Sequence, residues 1–452
     1  MASEARTFPP TPAAATRPRA FNARRALAGE PRIIPGSWWT FWFFVGADPG
    51  FSVLMRHSLK LHEAFTIGVY AVLAGWVLLA SGRLFSFRMT GVSLLVLLIN
   101  AVSVASIVFS PVTFQSVPRI YGTMVEWLGI SIIVLTLARE ESNQALFRQM
   151  GTAYVLGTVV AVLSPLYVYH LHFLDVRYGL VALDPNSVGF RAAFALMLVL
   201  GGEIGRPANQ ARGWLVMLFA ATLILSFSKT AIVGAVAGFG ALWFLSGRRI
   251  EHGIKFRQFV AMLIPLVFFW GRLVANAMAY LNNTEEFSTL TGRTVLWQVT
   301  LDLSSAHPWL GYGFQTFQEV VDPFFHGNPQ FVHAWNTQIV HAHNAYLTAL
   351  LQIGYVGAAL FALLTVTIIW QLVRLVRRPR EPSVPVWTAL VLIFLIRSVT
   401  EGTFAASGPE FAMFCTLGLI GEQLLAQGRM PNSADALRPA GQRLAAGYRW
   451  AR

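Results

Sequence analysis

Residues 92–109 read VSLLVLLINAVSVASIVF, an apolar run without a charged side chain. Residues 215–225 read LVMLFAATLIL and have the same character. Such runs are continuous rather than alternating, and a helix needs about 20 mainly apolar residues to cross a lipid bilayer. The chain of 452 residues is 55% hydrophobic and only 12% charged. These features predict an all-α, polytopic membrane protein with most of its residues in lipid.

The apolar runs predict about 12 transmembrane helices. Spans one to nine fall within 34–275 and spans ten to twelve within 343–426, with a polar segment, 276–342, between them. The first span is interrupted by Asp48-Pro49-Gly50, so a re-entrant or interfacial segment is its alternative reading. The predicted spans are 34–54, 64–81, 89–110, 120–138, 150–170, 187–203, 213–227, 229–247, 257–275, 343–371, 384–399 and 407–426.

The basic residues, which give a formal net charge of +13, lie mainly in the two tails and in alternate short loops. The positive-inside rule therefore places both tails, 1–33 and 427–452, in the cytoplasm and the segment 276–342 on the opposite face. The tail 1–33 begins with many Pro and Ala residues, so we expect it to be disordered. Arg56 and Lys60 do not fit this alternation. Since the charge is confined to tails and loops, it does not indicate nucleic-acid binding.

The polar segment leads into His341-Ala342-His343-Asn344. An imidazole can accept a proton from a hydroxyl group near neutral pH, and a neighbouring amide can orient a ring or a sugar hydroxyl. His343 is therefore a candidate general base, and His341 and Asn344 are candidate substrate contacts. A reaction on this face needs a substrate that arrives already activated, because ATP and nucleotide sugars are absent there.

The acidic residues do not predict a metal site. Asp302, Glu319 and Asp322 are scattered and show no Asp-x-Asp spacing. His341 and His343 are two residues apart, a poor spacing for two ligands on one helix. We therefore expect neither a metal nor a cofactor, with cations of the protein in place of a divalent ion.

Several cations lie at the outer ends of predicted spans, namely Arg191, Lys229 and Arg397, and Arg293 adds another from the polar segment. Charged side chains at membrane depth are costly and are usually functional. Taken singly, each is equally an interfacial side chain or half of a structural ion pair, and Glu401 is the predicted partner of Arg397. Together on one face they suit a polyanion such as a pyrophosphate, whose oxygens a guanidinium group binds in bidentate fashion.

Five motifs give the chain a resemblance to the O-antigen ligase and bacterial polysaccharide polymerase superfamily. The last motif is the most specific, and consists of His343-Asn344, nine residues, and then Gly354-Tyr355-Val356-Gly357. The region of resemblance runs from about Asp184 to Leu360, and outside it only the number and order of spans agree. The other motifs are Asp184-Pro185-Asn186-Ser187-Val188-Gly189, Ser226-Phe227-Ser228-Lys229-Thr230-Ala231, Thr291-Gly292-Arg293-Thr294-Val295-Leu296-Trp297 and Pro308-Trp309-Leu310-Gly311-Tyr312-Gly313-Phe314.

The resemblance implies a helical glycosyltransferase of the C type in the bacterial inner membrane. It implies an undecaprenyl-pyrophosphate-linked glycan as the donor and an active site at the periplasmic face. By motif, His343 would be the catalytic base, and Arg191 and Arg293 would contact the pyrophosphate. Lys229 stands where many relatives have Arg, so its role is less well defined.

The resemblance leaves the acceptor open. Ligases transfer the glycan to lipid A-core sugars, whereas polymerases transfer it to a second lipid-linked repeat. The stretch leading to the His-Ala-His-Asn turn includes Trp335, a candidate sugar contact, and looks more like exopolysaccharide polymerases. Attack opposite the leaving group would invert the anomeric centre. The competing class is a lipid-linked sugar transporter or flippase, which needs a cationic cavity but not the His-Asn turn.

Overall fold

The computed structural model describes residues 35–54, 59–81, 89–112, 117–137, 143–168, 185–202, 209–246, 293–326, 341–377, 383–402 and 408–427, and isolated positions between 264 and 278. Within these residues the regular elements are all α-helices, which confirms the all-α prediction for the described part of the chain. The helices are α1 (Pro35–Leu54), α2 (Leu59–Ser81), α3 (Gly91–Val108), α4 (Val117–Leu137), α5 (Asn143–Val168), α6 (Pro185–Gly201), α7 (Asn209–Leu225), α8 (Lys229–Leu245), α9 (Arg293–Ser304), α10 (Phe317–His326), α11 (Ala345–Val376), α12 (Val384–Thr400) and α13 (Gly408–Gln427).

Each predicted span except 257–275 overlaps one of these helices, and 257–275 lies largely outside the described residues. By length and composition, α3 and α11 are the two described helices that are long and apolar enough to cross a membrane. Further apolar helices, such as α8 and α12, are shorter. This pattern is consistent with a membrane protein, and the topology of about 12 spans stays a prediction. The two tails, 1–33 and 427–452, lie outside the described residues apart from Gln427.

Helix α1 continues through Asp48-Pro49-Gly50, so the interruption predicted there is wrong. The helix lies close along α5, where Gly46 faces the backbone of Tyr154 and Gly157 faces the backbone of Phe43. A Cβ atom at either glycine would collide with that backbone. Packing along this contact therefore outweighs the local tendency of the Pro-Gly pair to end the helix.

The loop between α9 and α10 is packed into the helix bundle. Phe314 of this loop lies edge-on to Trp127 of α4, with 4.7 Å between ring centroids. Trp127 in turn stacks on Phe411 of α13 at 4.2 Å. The backbone N–H of Phe314 donates a hydrogen bond of 3.1 Å to Ser106 Oγ of α3. These contacts fix the loop, and hence the end of α9, to three helices of the bundle.

Helix α11 is broken at Gly354, where φ is 66° and ψ is −170°. Residues 345–353 precede the break and are mostly buried, whereas residues 355–376 follow it and expose a broad apolar face. A φ in this region favours glycine, and a Cβ atom at Gly354 would also collide with the carbonyl group of Trp309. The Gly-x-x-Gly motif thus begins at a true interruption of the helix.

The backbone groups released by this break pair with the Pro308–Phe314 motif. Such pairing satisfies polar groups that would otherwise be buried without a partner. It joins two of the five motifs directly and ties the α9–α10 loop to the helix that follows the His-Asn turn. The bonds run from the N–H of Tyr312 to the carbonyl of Leu351 (2.9 Å), from Gly313 to Gln352 (2.8 Å) and from Tyr355 to Pro308 (2.6 Å).

The polar segment 276–342 is partly helical, because it contains α9 and α10. Residues 279–292 and 327–340 of this segment lie outside the described residues, and Trp335 is among them. The part that the structure describes therefore presents α9, the packed loop and α10 beside the turn at 341–344.

Candidate functional site

The turn before α11 carries both histidines of the His-Ala-His-Asn motif. The helix begins at Ala345 with Asn344 as its N-cap, so the predicted start at residue 343 is wrong by two positions. His343 has a φ of 48°, in the left-handed region that residues other than glycine adopt infrequently. The rings of His341 and His343 lie 4.5 Å apart between centroids and are nearly perpendicular. Both imidazoles therefore project from a strained turn and not from a helix face.

Asn344 holds this turn to two helices. Its Oδ1 accepts hydrogen bonds from the backbone N–H groups of Tyr346 and Leu347, at 3.0 and 3.1 Å, as an N-cap residue does. Its Nδ2 donates to the carbonyl oxygen of Val399 in α12 at 3.0 Å. The structure thus gives Asn344 a positioning role, and the predicted substrate contact stays a prediction.

Ala342, between the two histidines, is fixed from both sides. Trp297 Nε1 of α9 donates a 2.8 Å hydrogen bond to the carbonyl oxygen of Ala342. The N–H of Ala342 donates to Thr348 Oγ1 of α11 at 3.1 Å. The Gly-Arg-Thr…Trp motif and the His-Asn motif are therefore in direct contact, as their shared role would require.

Glu401, just beyond the end of α12, joins the two strongest candidates. Its Oε2 lies 3.0 Å from Nδ1 of His343, and its Oε1 accepts a 2.8 Å hydrogen bond from Nη2 of Arg293. The Glu401 side chain is 3% exposed. The sequence predicted Glu401 only as the ion-pair partner of Arg397, and that prediction is wrong. An acid at the end of a predicted span was the signal available, but nothing in the sequence shows which way its side chain points.

The carboxyl group of Glu401 is ionised at neutral pH. Burial alone would raise its pKa, but the hydrogen bond and charge of His343, with the charges of Arg397 and Arg293, lower that pKa to about 2. A carboxylate facing Nδ1 requires the N–H of His343 to be on that nitrogen. The lone pair of the neutral imidazole is then on Nε2, the arrangement that a general base needs.

Arg397 forms a closed ion pair away from this carboxylate. Its guanidinium group bonds Glu410 Oε1 of α13 at 2.8 Å and the carbonyl oxygen of Asn186 in α6 at 2.7 Å. It also lies 4.4 Å above the ring of Phe190. Arg397 therefore ties α12 to the start of α6, where the Asp-Pro-Asn-Ser motif lies. Its predicted role as a substrate contact has no support from this geometry.

Arg191 is also buried in the bundle. Its guanidinium group donates to the carbonyl oxygen of Val45 and lies 3.4 Å from Asp48 Oδ2, both in α1. A phosphate group could reach Arg191 only if these contacts were exchanged. Its neighbour Phe190 lies beneath Arg397, so the two arginines share one region of the bundle.

Lys229 is exposed at the first position of α8, on the same end of the bundle as Glu401. Thr230 Oγ1 lies 3.0 Å from Thr400 Oγ1, the residue before Glu401. The turn before α8 also touches α6, because a Cβ atom at Gly189 would lie 2.5 Å from Ser226 Oγ. The cation is therefore beside the site that Arg293, His343 and Glu401 form.

The three residues His341, His343 and Glu401 are close enough to hold a metal ion, with candidate ligand atoms within 4.8 Å of one another. The argument against a shared metal from helical spacing is therefore wrong, since neither histidine is helical. Other contacts oppose a cation here. Arg293 occupies Oε1 of Glu401, and Nδ1 of His341 accepts a 3.1 Å hydrogen bond from the N–H of His343. Metal independence stays a prediction.

Comparisons with known proteins agree with this grouping of motifs. Residues 214–362 match a family model described as O-Antigen ligase. This range contains Lys229, Arg293 and His343, while Arg191 and Glu401 lie outside it. Over this range the helical chain is similar to proteins of the O-antigen ligase family.

The chain is also similar to the exopolysaccharide production protein ExoQ of Rhizobium meliloti. The two are 27% identical over 303 residues, which are 62% of this chain and 66% of the relative. The chain thus spans slightly less than two thirds of that relative's length. Together the two matches confirm the resemblance to the O-antigen ligase and exopolysaccharide polymerase superfamily.

Proposed function

We propose that the protein is a metal-independent, inverting glycosyltransferase of the bacterial inner membrane. Its donor is an undecaprenyl-pyrophosphate-linked oligosaccharide, its acceptor is a glycan hydroxyl group, and its active site faces the periplasm. The observation that carries this proposal is the meeting of His343 and Arg293 on Glu401. A base and a phosphate-binding cation are the two groups that such a transfer needs on either side of the anomeric carbon.

In the proposed reaction, Nε2 of His343 accepts the proton of the acceptor hydroxyl group as its oxygen attacks the anomeric carbon. The bond between that carbon and the pyrophosphate oxygen breaks, and polyprenyl pyrophosphate leaves with the electron pair. Attack from the opposite face inverts the centre. Arg293 neutralises the charge that develops on the leaving group, which is where electrostatic stabilisation is worth most.

The remaining cations differ in how readily they reach a pyrophosphate. Lys229 is exposed beside the site and supplies a point charge. Arg191 is buried against α1 and has to exchange Asp48 for phosphate before it contributes. We therefore assign the first contact to Arg293, with Lys229 in support and Arg191 as an inner contact.

Polymerisation of exopolysaccharide or O-antigen repeats is the form of this reaction that we propose. The similarity to a protein named for exopolysaccharide production favours it. The matching family is described as O-Antigen ligase, which favours the alternative, ligation of the glycan. The lipid-linked glycans that accumulate in a deletion strain distinguish the two. Single repeats on lipid are expected for a lost polymerase, and full-length chains on lipid for a lost ligase.

The enzymatic proposal is tested with purified protein in detergent, a lipid-linked glycan and excess chelator. Product is expected to form at the same rate with and without the chelator. Loss of activity that a divalent cation restores would show that the cluster of His341, His343 and Glu401 is a metal site and that the role given to Arg293 is wrong.

The periplasmic position is tested with a cysteine at Ser305, an exposed residue after α9. An impermeant thiol reagent should label Ser305→Cys in intact spheroplasts, while the native Cys415, which is buried, serves as the control. Labelling that requires lysis would contradict the orientation and the proposed donor together.

A further inference from the structure

Glu401 is bonded at the same time to the proposed base and to the proposed donor contact. We propose that it couples the two, so that binding of the donor pyrophosphate to Arg293 strengthens His343 as a base. This inference rests on the proposed function. While Arg293 bonds Glu401, it neutralises part of the carboxylate charge. Once the pyrophosphate draws Arg293 away, the full charge of Glu401 acts on the imidazole.

The exposure of the three side chains sets which of them can respond to a ligand. Arg293 is 20% exposed and His343 is 22% exposed, whereas Glu401 is 3% exposed. A pyrophosphate can therefore reach the guanidinium group but not the carboxylate. It also carries more charge than a carboxylate and offers paired oxygens for bidentate contact, so it is a strong competitor for Arg293.

The backbone around Glu401 prevents the carboxylate from following Arg293. The N–H of Glu401 donates a 2.8 Å hydrogen bond to the carbonyl oxygen of Arg397, at the end of α12. On the other side, a Cβ atom at Gly402 would lie 2.5 Å from Cγ of His341. The backbone of Glu401 is thus held between α12 and the imidazole of His341. Glu401 therefore remains beside His343 when Arg293 leaves.

The other described groups around the Glu401 carboxylate would not transmit the binding of pyrophosphate to His343. Among the described residues, those that bond Glu401 or act on its charge are His343 from the turn before α11, Arg293 from α9 and Arg397 from α12, and His341 packs against its neighbour Gly402. Arg397 is closed onto Glu410, so its influence is constant. Arg293 is the group that a phosphate ligand moves.

The sign of the effect follows from elementary electrostatics. A nearby carboxylate favours the protonated imidazole and a nearby guanidinium opposes it. Opposite charges within about 4–6 Å change such an equilibrium by about 1–3 pH units. Binding of a pyrophosphate would therefore make His343 a stronger base, so that activation of the acceptor follows binding of the donor.

The experiment measures the protonation of His343 without requiring glycosyl transfer. Diethyl pyrocarbonate modifies neutral imidazole, and peptide mass spectrometry reports its modification of His343 across a range of pH. The full-length protein keeps His341, and fragment ions within the peptide distinguish modification of His343 from that of His341. Inorganic pyrophosphate is the probe, and calorimetry measures its binding separately.

Pyrophosphate is expected to raise the pH midpoint of modification by about 1 unit. With Arg293→Gln the midpoint should already be high and should not respond to the probe. With Glu401→Gln it should be lowest and equally unresponsive. If Glu401→Gln does not fold, Arg293→Gln decides the question.

A midpoint that still rises in Glu401→Gln would overturn the coupling, because the pyrophosphate would then act on the imidazole directly. A midpoint that stays constant while calorimetry shows Arg293-dependent binding would overturn it too. Absence of Arg293-dependent binding would instead count against the donor contact in the proposed function.

Discussion

Two ion pairs near the end of α12 have the same length but different surroundings. Arg397–Glu410 and Arg293–Glu401 each close at 2.8 Å. In the first pair both side chains are at most 5% exposed, and backbone and aromatic contacts complete the enclosure. In the second, Arg293 is 20% exposed and the carboxylate also serves His343. Distance alone does not separate a structural pair from a functional one, whereas exposure and a shared third partner do.

The largest expected effect is on turnover, and it concerns His343, the candidate base that contacts only the second ion pair. His343→Ala should reduce turnover by about 10²–10⁴, the usual contribution of a general base. Binding of the lipid-linked donor should change little, because the imidazole acts on the acceptor. Rates and donor affinity of purified variants check this. His341→Ala is the matched control and should be much milder. If it abolishes transfer while His343→Ala remains active, the wrong histidine has been assigned.

The next effect is on the free energy of unfolding, which should differ between variants of the two ion pairs. Arg397→Ala leaves Glu410 as an uncompensated buried charge and should lower the free energy of unfolding by about 3–5 kcal/mol. Arg293→Ala should cost far less stability, because its side chain is partly solvated. Unfolding of both variants in the same detergent gives the answer. Equal losses would mean that the second pair is as structural as the first.

A smaller effect is expected on donor binding, and it tests the role proposed for Arg293. Arg293→Lys keeps the charge but loses the planar fork, so it should weaken donor binding by about 1.5–3 kcal/mol, the worth of one charge-assisted hydrogen bond. It should also slow departure of the pyrophosphate. Donor affinity measures the first effect, and single-turnover rates measure the departure of the pyrophosphate. Wild-type values for both would remove Arg293 from the donor site.

The smallest expected effect is a loss of folding stability at low pH. A carboxylate whose pKa is lowered in the folded protein contributes stability above its ordinary pKa and loses it as the pH falls through the folded value. For Glu401 that window runs from the ordinary pKa of 4.5 down to the pKa of about 2 in the folded protein. Wild-type protein should therefore lose more stability than Glu401→Gln between about pH 5 and pH 3. Parallel losses in the two proteins would contradict the lowered pKa.

The sequence predicted the helices and the motifs well because both depend on local patterns. Apolar runs such as 92–109 need no tertiary information to be read as helices. The motifs that contain Gly189 and Ser226 are in contact, as are those that contain Trp297 and Ala342.

The sequence did not predict the partners of Arg397 and Glu401 because side-chain direction at a helix end depends on neighbouring helices. Glu401 lies one turn from Arg397, a spacing that suits a pair only while the helix continues. Helix α12 ends at Thr400, and Glu401 has an extended backbone that turns it toward α9 and His343. The continuous α1 was missed for a related reason, since its contact with α5 is a tertiary effect.

The break at Gly354 separates the end of α11 that carries the candidate site from the apolar part that would meet lipid in the proposed orientation. The residues after it, 355–376, are roughly 22 in number and about 33 Å long, close to the thickness of a bilayer core. In the proposed orientation, this segment can tilt to match a thicker or thinner membrane. Residues 345–353 are anchored instead by α9, α12 and the packed loop. In that orientation the depth of His343 would be set by the protein and not by the lipid composition of the membrane around it.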